Sequence, residues 1–230
     1  MNLAIIPARS GSKRIKRKNI RHINGKPAIQ HTIEGLRRSE LFSRIIVSTD
    51  DAEISSISEE MGAEVPFLRS SQLSDDHTPT KPVIEDVLTR LDEPTQIEAV
   101  CCVYPLAILI SVDQLRESLA LLQKHPNEFV FAAQPYSHPL NRAFSLSEDN
   151  QISRFIFEEK VTARTQDSHQ YFHDAGQFYW ATREKWCAHG QILGHGSVAY
   201  PVQRLDAVDV DNESDWELLN ALVQYRKGKI

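Results

Sequence analysis

The first half of the chain alternates short apolar runs with amphipathic stretches. The apolar runs are rich in β-branched side chains and end at proline, glycine or polar residues, which is typical of buried strands. They are "LAIIPA", "RIIVSTD", "AEVPFL" and "EAVCCVYP". Four helices are predicted between and after them: Pro27 to about Ser39, Asp51 to Met61, one following Thr80 and one following Asp113.

Near-continuous apolar strands separated by helices predict a doubly wound α/β fold, with a mostly parallel sheet covered on both faces. In such a sheet the ligand crevice lies at the carboxyl ends of the strands. The chain contains no internal repeat and no linker-like stretch, so we expect a single domain over residues 1–230.

The second half has a different pattern. "FVFAAQP", "RAFSLSEDNQISRFIF" and "AGQFYWAT" are typical of strands in hairpins, with "SEDN" as a turn. They predict an antiparallel excursion over about residues 135–180 that would serve as a lid or a dimer contact. A last strand, "AYPVQ", precedes a terminal helix capped by Asn212 or Ser214, with Leu218, Leu219 and Leu222 on one face.

Charge is distributed unevenly along this chain of net charge -5. Residues 1–33 carry eight Lys or Arg and no Asp or Glu, whereas the remainder carries 18 basic and 31 acidic residues. This asymmetry favours a local anionic ligand over general binding to a polyanion.

Cysteine usage and hydropathy indicate the compartment. The three cysteines include the adjacent Cys101 and Cys102, which an extended strand would point to opposite faces, so neither a disulfide framework nor metal-ligand spacing is present. The apolar opening is far too short for a signal peptide, and no later run reaches membrane-spanning length. We therefore expect a cytoplasmic protein with no membrane contact.

The stretch "PARSGSKR" predicts a phosphate site. Ser10, Gly11 and Ser12 follow a strand and would expose backbone N–H groups, while Arg9, Lys13, Arg14 and Lys18 could reach the same anion. The spacing matches neither a Walker A loop nor a dinucleotide fingerprint. A solvated basic loop or an RNA-binding patch is the alternative, but no aromatic residue for base stacking lies between Arg9 and Lys26, so we expect no nucleic acid partner.

The stretch "DAVDVDNESDW" predicts a metal site. In extended backbone, Asp209 and Asp211 project from one face with Cα atoms about 6.5 Å apart. Such a pair, together with phosphate oxygens, suits Mg²⁺. The alternative is a polar turn whose acids favour the start of the following helix.

Three further stretches carry candidate side chains. "STDD" (Ser48 to Asp51) is interpreted first as a helix cap, and Thr80 in "LSDDHTPTK" as either a nucleotide contact or a cap. In "YFHDAGQFYW", aromatic rings beside polar groups would suit a sugar, although a half-buried strand explains the rings equally well. Its polar candidates, with an upstream arginine for a substrate carboxylate, are His173, Asp174, Gln177 and Arg164.

Taken in order, several segments resemble the CMP-sugar synthetases that activate nonulosonic acids. They are "IIPARSGSKRIKRKNI", "GKPAIQHTIE", "RIIVSTDDAEI", "GAEVPFLRSSQLSDD", "FHDAGQFYW" and "VDVDNESDW". The resemblance implies a glycosyltransferase-A-like Rossmann sheet, Mg²⁺ dependence, a homodimer built partly from the hairpin region, and transfer of CMP from CTP to an acidic nine-carbon sugar. "RTQD" and "HDAGQFYW" are most similar to members that use pseudaminic acid, with sialic and legionaminic acids as alternatives.

The resemblance also implies roles for individual residues. Arg9 and Lys18 would bind and neutralise the CTP phosphates, and Asp209 and Asp211 would bind the metal. The other implied contacts are Ser10, Gly11, Ser12, Lys13, Asn19, Arg69 and Thr80 for the nucleotide, and Tyr104, Arg164, His173, Asp174 and Gln177 for the sugar.

One segment departs from the family pattern. After Tyr104 and Pro105 the family usually has a threonine, a small residue, a proline and an apolar residue, whereas this chain has Leu106 to Leu109. The missing hydroxyl and proline predict a freer loop with reduced activity or altered substrate choice, and restoring both should raise activity. A glycosyltransferase and a catalytically impaired nucleotide-binding relative stay open as alternatives.

Overall fold

A computed structural model describes residues 1–91, 97–158, 161–162, 164 and 169–228. The strands are β1 (Asn2–Pro7), β2 (His22–Ile23), β3 (Lys26–Pro27), β4 (Arg44–Ser48), β5 (Ala99–Val103), β6 (Val130–Pro135), β7 (Phe144–Leu146), β8 (Ile152–Phe155), β9 (Phe172–Thr182) and β10 (Val198–Pro201). The α-helices are α1 (Ala28–Ser39), α2 (Ala52–Glu60), α3 (Thr80–Arg90), α4 (Val112–Lys124), α5 (Arg183–Cys187) and α6 (Glu213–Lys227).

Six strands form the main sheet in the order β10-β6-β9-β5-β1-β4. All neighbouring pairs are parallel except the two that involve β9, which runs antiparallel to both β5 and β6. Cys101 packs into the apolar cluster on one face with α1 and α4, and Cys102 into the cluster on the other face with α3 and α5. The mostly parallel sheet covered on both faces is therefore confirmed.

Polar side chains fix where several helices begin. The Asp51 carboxylate accepts hydrogen bonds from the N–H groups of Glu53 and Ile54 at the start of α2, as the cap interpretation predicts. Asn212, rather than Ser214, caps α6 in a capping box with Asp215.

One alternative and one expectation about helices are not met. Thr80, for which a cap was one of two interpretations, is the first residue of α3 and makes no cap hydrogen bond. Leu218 on α6 is 51% exposed, whereas Leu219 and Leu222 are buried.

Two strand expectations are also wrong. "AEVPFL" forms no strand, since only Glu64 bridges to Ile46, and Pro66, which has no N–H group, follows shortly afterwards. The segments β6 and β9 belong to the main sheet rather than to an excursion, whereas β7 and β8 form a separate hairpin, as do the short strands β2 and β3. Residues 175–181 of β9 are buried, as expected for a central strand of a sheet covered on both faces.

The pairing of β6 with β9 contains a bulge next to the carboxyl edge of the sheet. Phe131 pairs with Tyr179, but Ala133 pairs with Asp174, so β9 contributes extra residues between these points. Gly176 lies in this bulge with φ +60°, a left-handed conformation that favours glycine.

A third apolar cluster lies beside that edge of the sheet. It joins Ile15 of the basic loop, Leu106 and Leu109 after β5, Val210 before α6 and Trp216 within α6. The cluster therefore connects the beginning of the chain to its final helix. Over the described ranges, none of the helices has the length and apolarity to cross a bilayer.

Candidate active site

The candidate residues converge because of strand direction. Strands β1, β4, β5, β6 and β10 run the same way, so the segments that follow them meet at one edge of the sheet. Since β9 is antiparallel, its first residues lie at the same edge. The basic loop, the "STDD" turn, the segment after Tyr104, the start of β9 and the Asp209–Asp211 segment are thus neighbours.

The two ends of the chain contact each other directly. The Arg14 Nη2 atom lies 2.7 Å from Asp211 Oδ1, and Lys18 Nζ donates to the carbonyl oxygen of Val210 over 2.9 Å. Val208 and Val210 are buried in the third cluster with Ile15. The alternating residues Asp209 and Asp211 consequently face outward, beside the basic side chains.

The basic loop is held by hydrogen bonds within the protein. The Asp50 carboxylate accepts hydrogen bonds from both Ser10 N–H and Ser10 Oγ, each over 2.8 Å. Ser12 N–H donates to Ser10 O, and Asn19 Nδ2 donates to Arg9 O. Two of the expected backbone donors are therefore occupied, so the site depends mainly on its cationic side chains. Sequence reasoning did not assign this role to Asp50, which lies in the "STDD" stretch two residues after β4.

A cavity of about 390 Å³ lies between the basic loop and the acidic segment. Its lining combines four cations, polar side chains and two carboxylates. These residues are Arg9, Ser12, Lys13, Arg14, Lys18, Asn19, Asp76, His77 and Asp211. The size and the excess of positive charge suit a phosphate chain.

Lys18 is half-buried, whereas Lys13 and Arg14 are exposed. Burial lowers the pKa of Lys18, whereas the nearby Asp211 and Asp209 carboxylates act in the opposite direction and raise it. A cation held in this surrounding interacts strongly with an anion, since little water screens it.

Asp209 and Asp211 form the candidate metal pair. Burial raises the pKa of Asp209, as does its neighbour Asp211. A Cβ atom placed on Gly176 would lie 2.8 Å from Asp209 Cγ, so the bulge in β9 sits directly against this carboxyl group.

Two adjacent carboxylates fit Mg²⁺, which takes hard oxygen ligands and completes its shell with phosphate and water. Within the described segments, no group of three or more His, Cys, Asp or Glu side chains could hold a metal. Asp209 and Asp211 are therefore a pair of ligands and not part of a larger protein metal site.

A second cavity, of about 720 Å³, is lined in part by Pro79 and Thr80, which follow Asp76 and His77 of the first cavity in sequence. Thr80 Oγ1 and the Tyr104 hydroxyl are 2.8 Å apart within its wall, and burial raises the pKa of Tyr104 to about 12. The cavity also has apolar walls. Its lining includes Pro79, Pro82, Asp174, Tyr179, Ile192 and Leu193.

The predicted sugar residues occupy different surroundings. The Asp174 carboxylate faces the second cavity and accepts hydrogen bonds from Tyr179 OH over 2.6 Å and from Gly176 N–H. Gln177 is 2% exposed and donates to backbone carbonyls, including that of Val208. Its position suits holding the Asp209 segment rather than touching a ligand.

The other predicted contacts are less central. His173 is half-buried and its Nδ1 atom is bonded to Asp174 O. Arg164 is exposed, and the neighbouring residues 165–168 lie outside the described part of the chain. Arg69 is buried and donates from Nη2 to Ser48 O over 2.8 Å, while burial lowers its pKa. It therefore supports the turn that carries Asp50.

The segment after Tyr104 is ordered without the proline of the family pattern. Leu106 and Leu109 are 6% and 2% exposed and pack into the third cluster. Thr32 Oγ1 donates to Pro105 O over 2.8 Å, and Arg226 donates to Leu109 O. The expectation of a freer loop is wrong, because packing and these hydrogen bonds fix it instead.

Comparison with known proteins agrees with this arrangement. The sequence profile of a family described as cytidylyltransferase matches residues 3–179. The chain belongs to the cytidylyltransferase family. Its catalytic class is therefore nucleotidyl transfer from CTP.

Individual relatives cover nearly the whole chain. A pseudaminic acid cytidylyltransferase of Campylobacter jejuni is 38% identical over 96% of this chain and 95% of its own length. A Helicobacter pylori protein is 30% identical over 96% of this chain but 42% of its own length, and is named both pseudaminic acid cytidylyltransferase and UDP-2,4-diacetamido-2,4,6-trideoxy-beta-L-altropyranose hydrolase. A CMP-N,N'-diacetyllegionaminic acid synthase of Legionella pneumophila is 26% identical over 96% of each chain.

A solved structure has the same fold. The structure of CMP:2-keto-3-deoxy-manno-octonic acid synthetase complexed with CTP superposes with a TM-score of 0.72 at 16% identity, covering 98% of this chain and 99% of that chain. At this identity the likeness supports the fold alone.

Proposed function

We propose that this protein transfers CMP from CTP to pseudaminic acid, with release of pyrophosphate. The observation that carries the proposal is the 38% identity to the Campylobacter jejuni enzyme over 96% of the chain. The convergence of a cationic loop, two carboxylates and a second cavity at one sheet edge supports the same reaction class.

The cationic cavity accounts for the phosphate part of the reaction. Arg9, Lys13 and Lys18 would bind the triphosphate and stabilise the negative charge that develops as pyrophosphate leaves. The anomeric hydroxyl oxygen of the sugar would attack the α-phosphorus and release its proton to water, and the bond from that phosphorus to the bridging oxygen of pyrophosphate would break. Holding both substrates in this geometry supplies a large share of the rate enhancement.

Asp209 and Asp211 would hold Mg²⁺. When bound, this ion would neutralise phosphate oxygens beside the cations of the loop. The Gln177 side chain and the Gly176 bulge would fix the position of Asp209 through their contacts with its segment.

The second cavity would receive the sugar. Asp76 and His77 line the phosphate cavity, and Pro79 and Thr80 line the second cavity, so a sugar bound there would lie near the triphosphate. Asp174 and Tyr104 offer polar contacts, and the apolar walls suit the apolar parts of a sugar and its substituents.

We also propose that the protein acts as a cytoplasmic homodimer. The β7–β8 hairpin projects apolar side chains from one face, among them Phe144, Leu146 and Ile152, which are each about half exposed. Such a face on a short, separate sheet is typical of a surface that another chain covers.

A pyrophosphate-release panel tests the function. Purified protein with CTP and Mg²⁺ is supplied separately with pseudaminic, legionaminic, sialic and Kdo acids. We expect the highest kcat/KM with pseudaminic acid, and no pyrophosphate release when Mg²⁺ is left out. A higher kcat/KM with another acid would reassign the substrate. If none of the four acids led to pyrophosphate release, the proposal would be refuted.

A further inference from the structure

The cations of the phosphate cavity already have an anionic partner from within the chain. Arg9 Nη1 lies 2.6 Å from Asp76 Oδ1, and Lys13 Nζ contacts Asp76 Oδ2. A carboxylate thus lies where the proposed function, on which this inference rests, places phosphate oxygens. Hydrogen bonding from Lys13, and to a smaller extent from Arg9, lowers the pKa of Asp76 to about 2, so the carboxyl group is ionised at physiological pH.

The turn that carries Asp76 is built to point it at the loop. The Asp75 carboxylate accepts hydrogen bonds from His77 N–H, Thr78 N–H and Thr78 Oγ1, which closes a tight turn. The Asp75 carbonyl oxygen also accepts a hydrogen bond from Arg9 Nη1 over 2.9 Å. Asp75 orders the turn, and its neighbour Asp76 is left facing the cations.

We propose that Asp76 competes with polyphosphate for Arg9 and Lys13, and so sets the affinity of the site for CTP and for pyrophosphate. In the absence of nucleotide, Asp76 keeps the two cations paired and in position. A triphosphate that enters must displace the carboxylate, so part of its binding energy is lost. When pyrophosphate leaves, Asp76 takes back both cations and thereby promotes product release.

The test compares Asp76→Asn with wild type in binding of inorganic triphosphate and pyrophosphate by titration calorimetry at constant ionic strength. The substitution keeps the shape of the side chain and removes its charge. We expect binding of both ions to tighten about fivefold, the size typical of a partly exposed ion pair. Stopped-flow displacement should give a slower dissociation of pyrophosphate.

Glu53→Gln is the matched control. Glu53 pairs with Arg17 on the same loop, yet neither residue lines the cavity, and the change in net charge is identical. We expect its affinity for triphosphate to stay within about twofold of wild type, because a charge outside the cavity is largely screened. An equal tightening in both variants would mean a general field effect and would overturn the inference.

Other outcomes are equally decisive. Unchanged or weaker binding by Asp76→Asn would overturn the inference, since Asp76 would then have no effect on phosphate binding or would help to hold phosphate. Asp76→Ser serves as a second variant if Asp76→Asn fails to fold. Because the ligands are inorganic ions, the comparison holds whichever sugar the enzyme uses. Wild-type protein that bound neither ion would refute the inference. An inactive substrate panel alone would refute only the proposed function.

Discussion

Gly176 shows how a single position couples the backbone of β9 to the acidic pair. Its φ of +60° lies in the left-handed region, and its Cα atom leaves space that the Asp209 carboxyl group occupies. Any side chain here would both strain the backbone and displace Asp209.

We therefore predict that Gly176→Ala lowers kcat/KM for pyrophosphate release by about 100-fold, because a small misplacement of a reacting group is costly. The free energy of unfolding should fall by about 1–2 kcal/mol. Steady-state kinetics and urea denaturation measure the two effects.

Gly25→Ala is the control for this substitution. Gly25 has a similar φ of +78°, but no atom of the described residues lies within 4 Å of the added Cβ atom. It should lose similar stability and keep its activity. If both variants lost activity equally, strain alone would explain the result and the contact with Asp209 would be irrelevant.

Residue types in the sequence indicated the cationic and acidic groups but not their partners. Arg9, Lys18, Asp209 and Asp211 were identifiable because charge at strand ends is unusual, and the structure brings them to one edge. Asp50 and Gln177 are different, since their importance lies in hydrogen bonds to distant backbone atoms. No local pattern in a sequence specifies such contacts.

At the scale of elements, the apolar pattern identified β1, β4, β5, β6 and β10 but misassigned the centre of the sheet. β6 and β9 were both expected in hairpins, yet both belong to the main sheet, with β9 inserted between β5 and β6. Periodicity describes which faces of a strand are buried, whereas the choice of neighbour depends on contacts far apart in sequence. The false strand at "AEVPFL" has a similar cause, because an apolar run without a partner along its length does not form a ladder.

The segment Leu106 to Leu109 gives a prediction opposite to the one from sequence. Leu106 fills the third cluster, so Leu106→Thr with Ile108→Pro should create a cavity and bury a hydroxyl group. We expect the free energy of unfolding to fall by about 3 kcal/mol, with no gain in kcat. Chemical denaturation and CTP turnover test this.

Leu218→Thr provides the comparison, since Leu218 is 51% exposed and the chemical change is the same. It should leave stability within about 0.5 kcal/mol of wild type. A double variant at positions 106 and 108 that was both stable and faster would restore the expectation drawn from the family pattern.

The β7–β8 hairpin makes a separate prediction about assembly. Leu146 pairs with Ile152 on its apolar face, whereas Ser145 pairs with Arg154 on the other. Leu146→Glu should convert the proposed dimer to a monomer, because a charge would be buried in the interface. Sedimentation velocity measures the change, with Ser145→Glu as the control that should stay dimeric. A monomeric wild-type protein would refute the dimer directly.

At the scale of the whole molecule, the site depends on the first and last parts of the chain meeting. Ile15 and Val210 are buried in one cluster, and hydrogen bonds from Lys18 and ion pairs from Arg14 and Arg21 cross between the ends. The unequal charge of the two parts predicted a local anionic ligand. The apolar cluster that fixes their separation was not predicted, because Ile15 is a single apolar residue within a basic run.

Two ion pairs across this junction distinguish function from stability. Asp211 pairs with Arg14 and Glu213 pairs with Arg21, and in both pairs the side chains are well exposed. Exposed pairs contribute little to stability. We therefore predict that Asp211→Asn and Glu213→Gln each change the free energy of unfolding by less than about 1 kcal/mol.

Their activities should differ sharply. Asp211→Asn should reduce kcat/KM by about 100-fold or more and shift the Mg²⁺ requirement to higher concentration, because it removes one of two carboxylate ligands. Glu213→Gln should retain wild-type kinetics and Mg²⁺ dependence. Pyrophosphate release measured across a Mg²⁺ titration compares them. Unaltered Mg²⁺-dependent turnover in Asp211→Asn would remove Asp211 from the metal site, whereas an equal loss in both variants would assign the effect to the junction between the chain ends.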